Sequence, residues 1–138
     1  MDKYAKAFVK ASLIYLGIGI LMGGWMVLSP DIRFAMTRVH VHILLLGFMA
    51  MMIYGVGYHI LPRFMGRPVY SHRLGLVQVW VANITLIGLS ASWILEASQG
   101  EIWHFLAILF AMGQVISVFL FIINLWMSMA PQTTSSSG

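Results

Sequence analysis

The stretch VHVHILLLGFMAMMIYGVGYHILP, from Val39 to Pro62, decides the fold class of this chain. Its 24 residues contain no Asp, Glu, Lys or Arg. About 20 apolar residues in a helix span the roughly 30 Å hydrocarbon core of a bilayer. The alternation typical of a barrel strand is missing, and a helix satisfies its own backbone hydrogen bonds inside lipid. The stretch therefore predicts a membrane-spanning helix.

Three further runs have the same character, and the composition agrees with them. The chain is 60% apolar and 9% charged, with a mean hydropathy of +0.88, whereas soluble domains carry about a quarter charged residues. We predict an all-α polytopic membrane protein, an antiparallel up-down bundle of four transmembrane helices in a single domain of residues 1–131. The predicted spans are about 8–28, 38–61, 73–95 and 102–129, followed by a disordered polar tail at 132–138.

Two other classes fit the sequence less well. The first run exceeds the roughly 7–15 residues of a signal-peptide core, and no small-x-small cleavage site follows it. The net charge of +4 reflects charges at the span ends rather than a nucleic-acid surface. The chain contains no cysteine, which excludes disulfides, thiolate metal sites and cysteine nucleophiles.

The distribution of basic residues predicts the orientation. Cytoplasmic loops carry an excess of Lys and Arg. The first and third extramembrane segments hold Lys3, Lys6, Lys10, Arg63, Arg67 and Arg73. The other two loops hold only Arg33 and Arg38. Both termini are therefore predicted to be cytoplasmic.

Ionisable residues inside apolar spans mark candidate functional sites. His40 and His42 lie near the outer end of the second span, at the same depth as His104 in the fourth. Residues i and i+2 of a helix point about 200° apart, so His40 and His42 cannot bind one metal ion together. Each is either a ligand facing its own cofactor or an interfacial histidine. The other two, His59 and His72, flank basic residues and are interpreted as interfacial.

Glycines in the first span allow two interpretations. Gly19-x-x-x-Gly23 is typical of close helix packing. Gly23 and Gly24 also lie at about the depth of His42, where missing side chains would leave room for a flat macrocycle.

Beyond these patterns, the second span resembles the tenth transmembrane helix of heme–copper oxidase catalytic subunits. The likeness is strongest to C-type cytochrome oxidases and nitric oxide reductases. It rests on the pattern H-x-H-x4-G from His40 to Gly47 and on the aromatic-rich end of the helix, which is followed by Pro62. Residues 62–71 with Trp80 are similar to the family's next loop and helix eleven, and Phe121 to Trp126 to helix twelve. The resemblance covers about two thirds of this chain and only the end of the family's subunit.

The resemblance implies that His40 matches a high-spin heme ligand and His42 a low-spin heme ligand, near the outer face of the membrane. The early helix that supplies the other low-spin ligand is absent, as are the helices that bind copper or non-heme iron. We therefore expect one or two hemes b and no copper. Reduction of oxygen or nitric oxide has no basis in this chain alone, and no catalytic residue is assigned.

The expected function is electron transfer in a respiratory chain of a bacterial or archaeal cytoplasmic membrane. The second axial ligand would come from His104, from a second copy in a homo-oligomer, or from a larger respiratory complex. Arg33 and Arg38 would pair with heme propionates or with lipid phosphate. The redox partner would be quinol or a periplasmic cytochrome c, and no nucleic acid is expected.

Two alternatives stay open at this point. One is a five-coordinate heme that binds nitric oxide or another gas, since an open iron position suits gas binding. The other is a heme-free accessory subunit of a larger membrane complex, with no extramembrane domain of its own.

Overall fold

The structure, a computed structural model, describes residues 1–130, apart from the side chains of residues 97–99. It contains four long helices: α1 (Lys3–Leu28), α2 (Pro30–Phe64), α3 (His72–Gln99) and α4 (Glu101–Met129). Each is long and apolar enough to cross a membrane, which confirms the predicted all-α fold with four spans. The orientation of the termini stays a prediction, and the predicted tail at 132–138 lies outside the described residues.

Helix α2 differs from its predicted span in length and in geometry. It begins at Pro30, because proline is favoured at the first helical position and Asp31 in the first turn offsets the helix dipole. The segment Ile43–Ala50 is π-helical, between α-helical Pro30–His42 and Met51–Phe64. The wider turns of a π-helix are rare and often occur at functional sites. Here they follow His42 directly.

Short connections make the consecutive helices antiparallel. Only Ser29 separates α1 from α2, and only Gly100 separates α3 from α4. Gly100 has a φ of 83°, a conformation that residues with a side chain rarely adopt. The bundle consists of two hairpins, because α1 packs mainly on α2 and α3 mainly on α4. Residues 65–71 connect the hairpins.

The two ends of the bundle differ in charge. We call the end with the start of α1 and the 65–71 loop the basic end; it carries six basic residues against one acidic residue, Asp2. We call the opposite end, where α1 passes to α2 and α3 to α4, the His42 end. The His42 end carries two basic residues against three acidic ones, namely Arg33, Arg38, Asp31, Glu96 and Glu101.

An aromatic cluster fills the core near the basic end. The Tyr4 and Tyr58 rings meet edge to face with centroids 5.0 Å apart, and Phe8 meets Tyr54 at 5.3 Å. Phe121 of α4 contacts both α2 tyrosines, at 4.7 and 5.2 Å. Edge-to-face pairs add stability beyond the burial of area, so this cluster joins both hairpins. Large apolar side chains cover the outside of the bundle, as the bilayer requires; examples are Ile14, Leu21, Ile87 and Phe119.

A buried amide ties α4 to the connecting loop. The Asn124 Nδ2 group donates to the Ser71 carbonyl at 2.9 Å and to the Tyr58 hydroxyl at 3.3 Å. The Asn124 Oδ1 atom accepts from the Ser71 N–H at 2.9 Å. The Tyr58 hydroxyl in turn donates to Gln78 Oε1 at 2.6 Å. Inside a membrane such groups have no water to replace a lost partner.

We expect Asn124→Ala to destabilise the bundle by about 1–3 kcal/mol, because it leaves the Ser71 N–H unpaired and removes one of the two donors to the Ser71 carbonyl. Ile123→Ala, one residue away and on the lipid-facing side, is the matched control, since Ile123 is 49% exposed. Unfolding of both variants in a detergent titration, followed by circular dichroism, checks the difference. Equal midpoints for the two variants would contradict the role assigned to Asn124.

Candidate functional site

His40 and His42 contact different helices, as their i, i+2 spacing predicts. The His40 ring lies against Gly23 of α1, where an added Cβ would be 3.1 Å from His40 Cε1. The His42 ring packs edge-on against Trp93 of α3, with centroids 4.6 Å apart. One imidazole therefore faces the first hairpin and the other faces the second.

The tautomer of His42 follows from its hydrogen bond. His42 Nδ1 lies 2.9 Å from the carbonyl oxygen of Arg38, one turn earlier in α2. A carbonyl only accepts, so Nδ1 carries a proton, and in the neutral ring Nε2 then holds the lone pair. A histidine held in this way by a backbone carbonyl is the usual form of a metal ligand.

The side chain of His42 also lines a groove between α2, α3 and α4, which we call the His42 groove. Its volume is about 270 Å³. The lining is apolar except for His42 and Gln114, and consists of His42, Leu46, Leu89, Trp93, Ala111, Gln114, Val115 and Val118. The Gln114 amide is already used, because Nε2 donates to the Ala82 carbonyl at 2.8 Å and to Thr85 Oγ1 at 2.7 Å.

A charged cluster lies beside the groove. The Arg38 guanidinium lies 5.6 Å from the centre of the Trp93 ring and 3.8 Å from Glu96 Oε2. The other carboxylate oxygen, Glu96 Oε1, is 2.9 Å from His104 Nδ1. Arg38 and His104 are mostly exposed, so solvent and headgroups reduce the energy of these ion pairs. Glu96 links α2 to α4 across the His42 end.

His104 shares the end of the bundle with His42 but not its groove. It lines a separate open cavity of about 590 Å³ with Glu96, Glu101 and Phe105. The one-residue turn at Gly100 brings Glu96 and His104 together, because it folds the start of α4 back on the end of α3. Within the described residues, no second histidine lines the His42 groove.

The remaining predicted residues of the His42 end differ in their surroundings. Gly23 accommodates the His40 ring, whereas Gly24 has nothing within 4 Å of an added Cβ. Arg33 Nε donates to the Met26 carbonyl at 3.4 Å and thereby covers the carboxyl end of α1. His40 Nδ1 is buried without a hydrogen-bond partner in the described part of the chain. An orphaned buried nitrogen of this kind calls for a ligand, an ion or a water.

His59 and His72 lie at the basic end. His59 Nε2 accepts from Arg63 at 2.8 Å, and His72 Nδ1 lies 3.3 Å from the Tyr4 hydroxyl and 3.9 Å from the Asp2 carboxylate. In residues 1–130, no group of three or more His, Cys, Asp or Glu side chains is arranged to hold a metal ion.

The sequence patterns missed Trp93, Gln114 and Glu96 as neighbours of the candidate histidines. Trp93 is distant from His42 in the chain, and only the packing of α3 on α2 brings their rings together. Glu96 and His104 are eight residues apart, so the turn signal of Gly100 between them was the one local indication that they meet.

Comparisons with known proteins place this geometry in context. No protein-family model matches the chain. The chain is similar to the "Cbb3-type cytochrome c oxidase subunit CcoN1" of Stutzerimonas stutzeri, with 30% identity over 104 residues. The match covers 70% of this chain but 22% of the relative, so the chain spans about a fifth of that protein's length. The protein is thus an integral membrane protein with four spanning helices, and its similarity supports a relationship to the heme–copper oxidases.

Proposed function

We propose that this protein binds heme b at His42 and transfers electrons in a respiratory membrane. The hydrogen bond from His42 Nδ1 to the Arg38 carbonyl carries the proposal, because it leaves Nε2 free as an iron ligand. The imidazole lines an apolar groove, and such surroundings suit a macrocycle with a hydrophobic face. The relationship to the heme–copper oxidases supports the same cofactor.

When bound, the heme supplies an iron that exchanges single electrons. The chain's residues provide the remainder of the site. Trp93 packs against the His42 ring, and the Arg38 carbonyl accepts from its Nδ1–H. The exposed Arg38 side chain offers its guanidinium to a propionate in competition with Glu96, whose oxygen is 3.8 Å away. Arg33, held at the Met26 carbonyl, is the lesser candidate for that role.

The second axial ligand comes from outside the His42 groove of one chain. His104 is exposed at the same end, which makes it available to a second copy related by a two-fold axis. A homo-oligomer or a larger respiratory complex would complete the site in this way. Both termini lie on the cytoplasmic side of a bacterial or archaeal membrane in this proposal, so the His42 end lies at the outer face. A heme at His42 is then within reach of quinol or a periplasmic cytochrome c.

His40 is the candidate ligand for a second heme. Its buried Nδ1 has no hydrogen-bond partner among the described residues, and its ring rests on Gly23. Gly24 beside it is open. A second heme would therefore lie on the side of α1, away from the His42 groove.

A five-coordinate heme that binds nitric oxide or another gas is the second candidate function. The observation in its favour is the absence of a second histidine from the His42 groove in the described part of the chain. An open iron position suits gas binding, whereas two histidines suit electron transfer.

The absorption spectrum of the detergent-purified protein, oxidised and then reduced with dithionite, tests these functions. Sharp reduced alpha and beta bands, unchanged by carbon monoxide, are the result expected for a six-coordinate electron-transfer heme. Bands that shift with carbon monoxide would favour the gas-binding heme. Absence of a Soret band after expression with ample heme would overturn both and leave the heme-free accessory subunit.

A further inference from the structure

Two adjoining depressions at the basic end share two side chains. The first is a cavity of about 380 Å³ at the end of the bundle, with Tyr58, His59, Arg63, Arg67 and His72 among its lining residues. The second is a groove of about 460 Å³ along α2, lined by His59, Ile60, Arg63 and Phe64. His59 and Arg63 therefore stand between a polar cavity and a lipid-facing apolar groove.

The polar cavity has an unbalanced positive charge. Arg63 donates to the His59 ring at 2.8 Å, and within residues 1–130 it has no carboxylate partner. Arg67 donates to the Ala130 carbonyl at 2.8 Å, a neutral acceptor. The one acidic residue of this end, Asp2, also lines the cavity, but its carboxylate accepts from the Tyr4 hydroxyl at 3.2 Å and lies 3.9 Å from His72 Nδ1. Two guanidinium groups thus retain donors for an anion.

The groove beside the cavity is apolar, so a ligand that fills it needs an apolar part. Ile60 and Phe64 lie one turn apart on α2, and the Phe64 side chain is 85% exposed. A ligand that fills both depressions combines an anionic head with a hydrocarbon chain. We propose that His59, Arg63 and Arg67 bind the phosphate headgroup of an acidic phospholipid, whose acyl chain lies along Ile60 and Phe64. Arginine is suited to phosphate because its planar fork donates two parallel hydrogen bonds.

Lipid binding to the purified protein tests the proposal without any heme. In native mass spectrometry from detergent, we expect the wild type to bind phosphatidylglycerol about tenfold more tightly than phosphatidylcholine. Arg63→Gln is expected to lose about that factor, because it removes the charged donor shared by the cavity and the groove. Arg73→Gln, which removes the same charge at the same end but from outside both depressions, is expected to bind like the wild type.

Three results would overturn the proposal. Equal binding of the two lipids by the wild type would remove the headgroup preference, and this comparison holds even where Arg63→Gln fails to fold. Equal losses in Arg63→Gln and Arg73→Gln would indicate diffuse attraction to the basic end. Displacement of phosphatidylglycerol by inorganic phosphate at comparable concentration would indicate a site for free phosphate, in which the groove takes no part.

Discussion

Replacement of His42 by alanine is expected to lower the heme content of the purified protein by at least about tenfold, since an axial ligand contributes more than the second-shell groups whose loss alone costs 10–100-fold. The variant removes the one imidazole in the described chain that has a free Nε2 and lines the apolar groove. The Soret absorbance per protein, checked by a pyridine hemochrome assay, measures the loss.

His72→Ala is the matched control, because it removes an imidazole at the basic end, where His72 contacts Tyr4 and Asp2. Its spectrum should equal that of the wild type. Retention of the wild-type spectrum in His42→Ala would contradict the ligand assignment. If His40→Ala lost the heme spectrum and His42→Ala kept it, His40 and not His42 would be the heme ligand.

The second large effect is expected at Gly55, where α2 lies against α1. A Cβ at this position would be 2.6 Å from Val9 Cγ2, 2.9 Å from the Ala5 carbonyl oxygen and 3.1 Å from the Val9 nitrogen. Two of these atoms belong to the α1 backbone, which cannot turn aside as a side chain can. We expect Gly55→Ala to cost about 1–3 kcal/mol of stability by overpacking. Chemical unfolding in mixed detergent, followed by tryptophan fluorescence, measures the cost.

Gly17→Ala provides the comparison. Gly17 is a helical glycine of α1 with nothing within 4 Å of an added Cβ, and alanine there should raise helix stability by about 0.5–1 kcal/mol. Opposite signs for the two substitutions are therefore expected. A stabilising Gly55→Ala would mean that α1 and α2 are not in close backbone contact at this point.

The four helices could be predicted from the sequence because membrane spanning depends on local composition. Charge-free runs such as 39–62 can be recognised as membrane-spanning helices from their length alone. The start of α2 was predicted eight residues late, because hydropathy detects the part of a helix that crosses lipid and not the polar turns beyond it. The proline at position 30 was the better indicator of the boundary.

The candidate site was predictable in part. The spacing of His40 and His42 sufficed to separate their directions, because a helix fixes that angle. Gly23 was interpreted as room for packing or for a macrocycle, and the structure gives that room to the His40 ring. The contact of His42 with Trp93 depends on how the hairpins pack, which no local pattern encodes.

The π-helical segment Ile43–Ala50 affects how many residues a homologous chain can have between His42 and Tyr54. One residue deleted from it would allow ordinary α-helical hydrogen bonding with little rotation of His42 relative to Tyr54 and Tyr58, because the wider π-helical turns accommodate about one extra residue. His42 would then still face Trp93, and the tyrosines would stay in the aromatic cluster that joins the hairpins. Homologous chains can therefore keep both contacts with one residue fewer between His42 and Tyr54, and such chains should have an α-helix where this chain has π-helical turns.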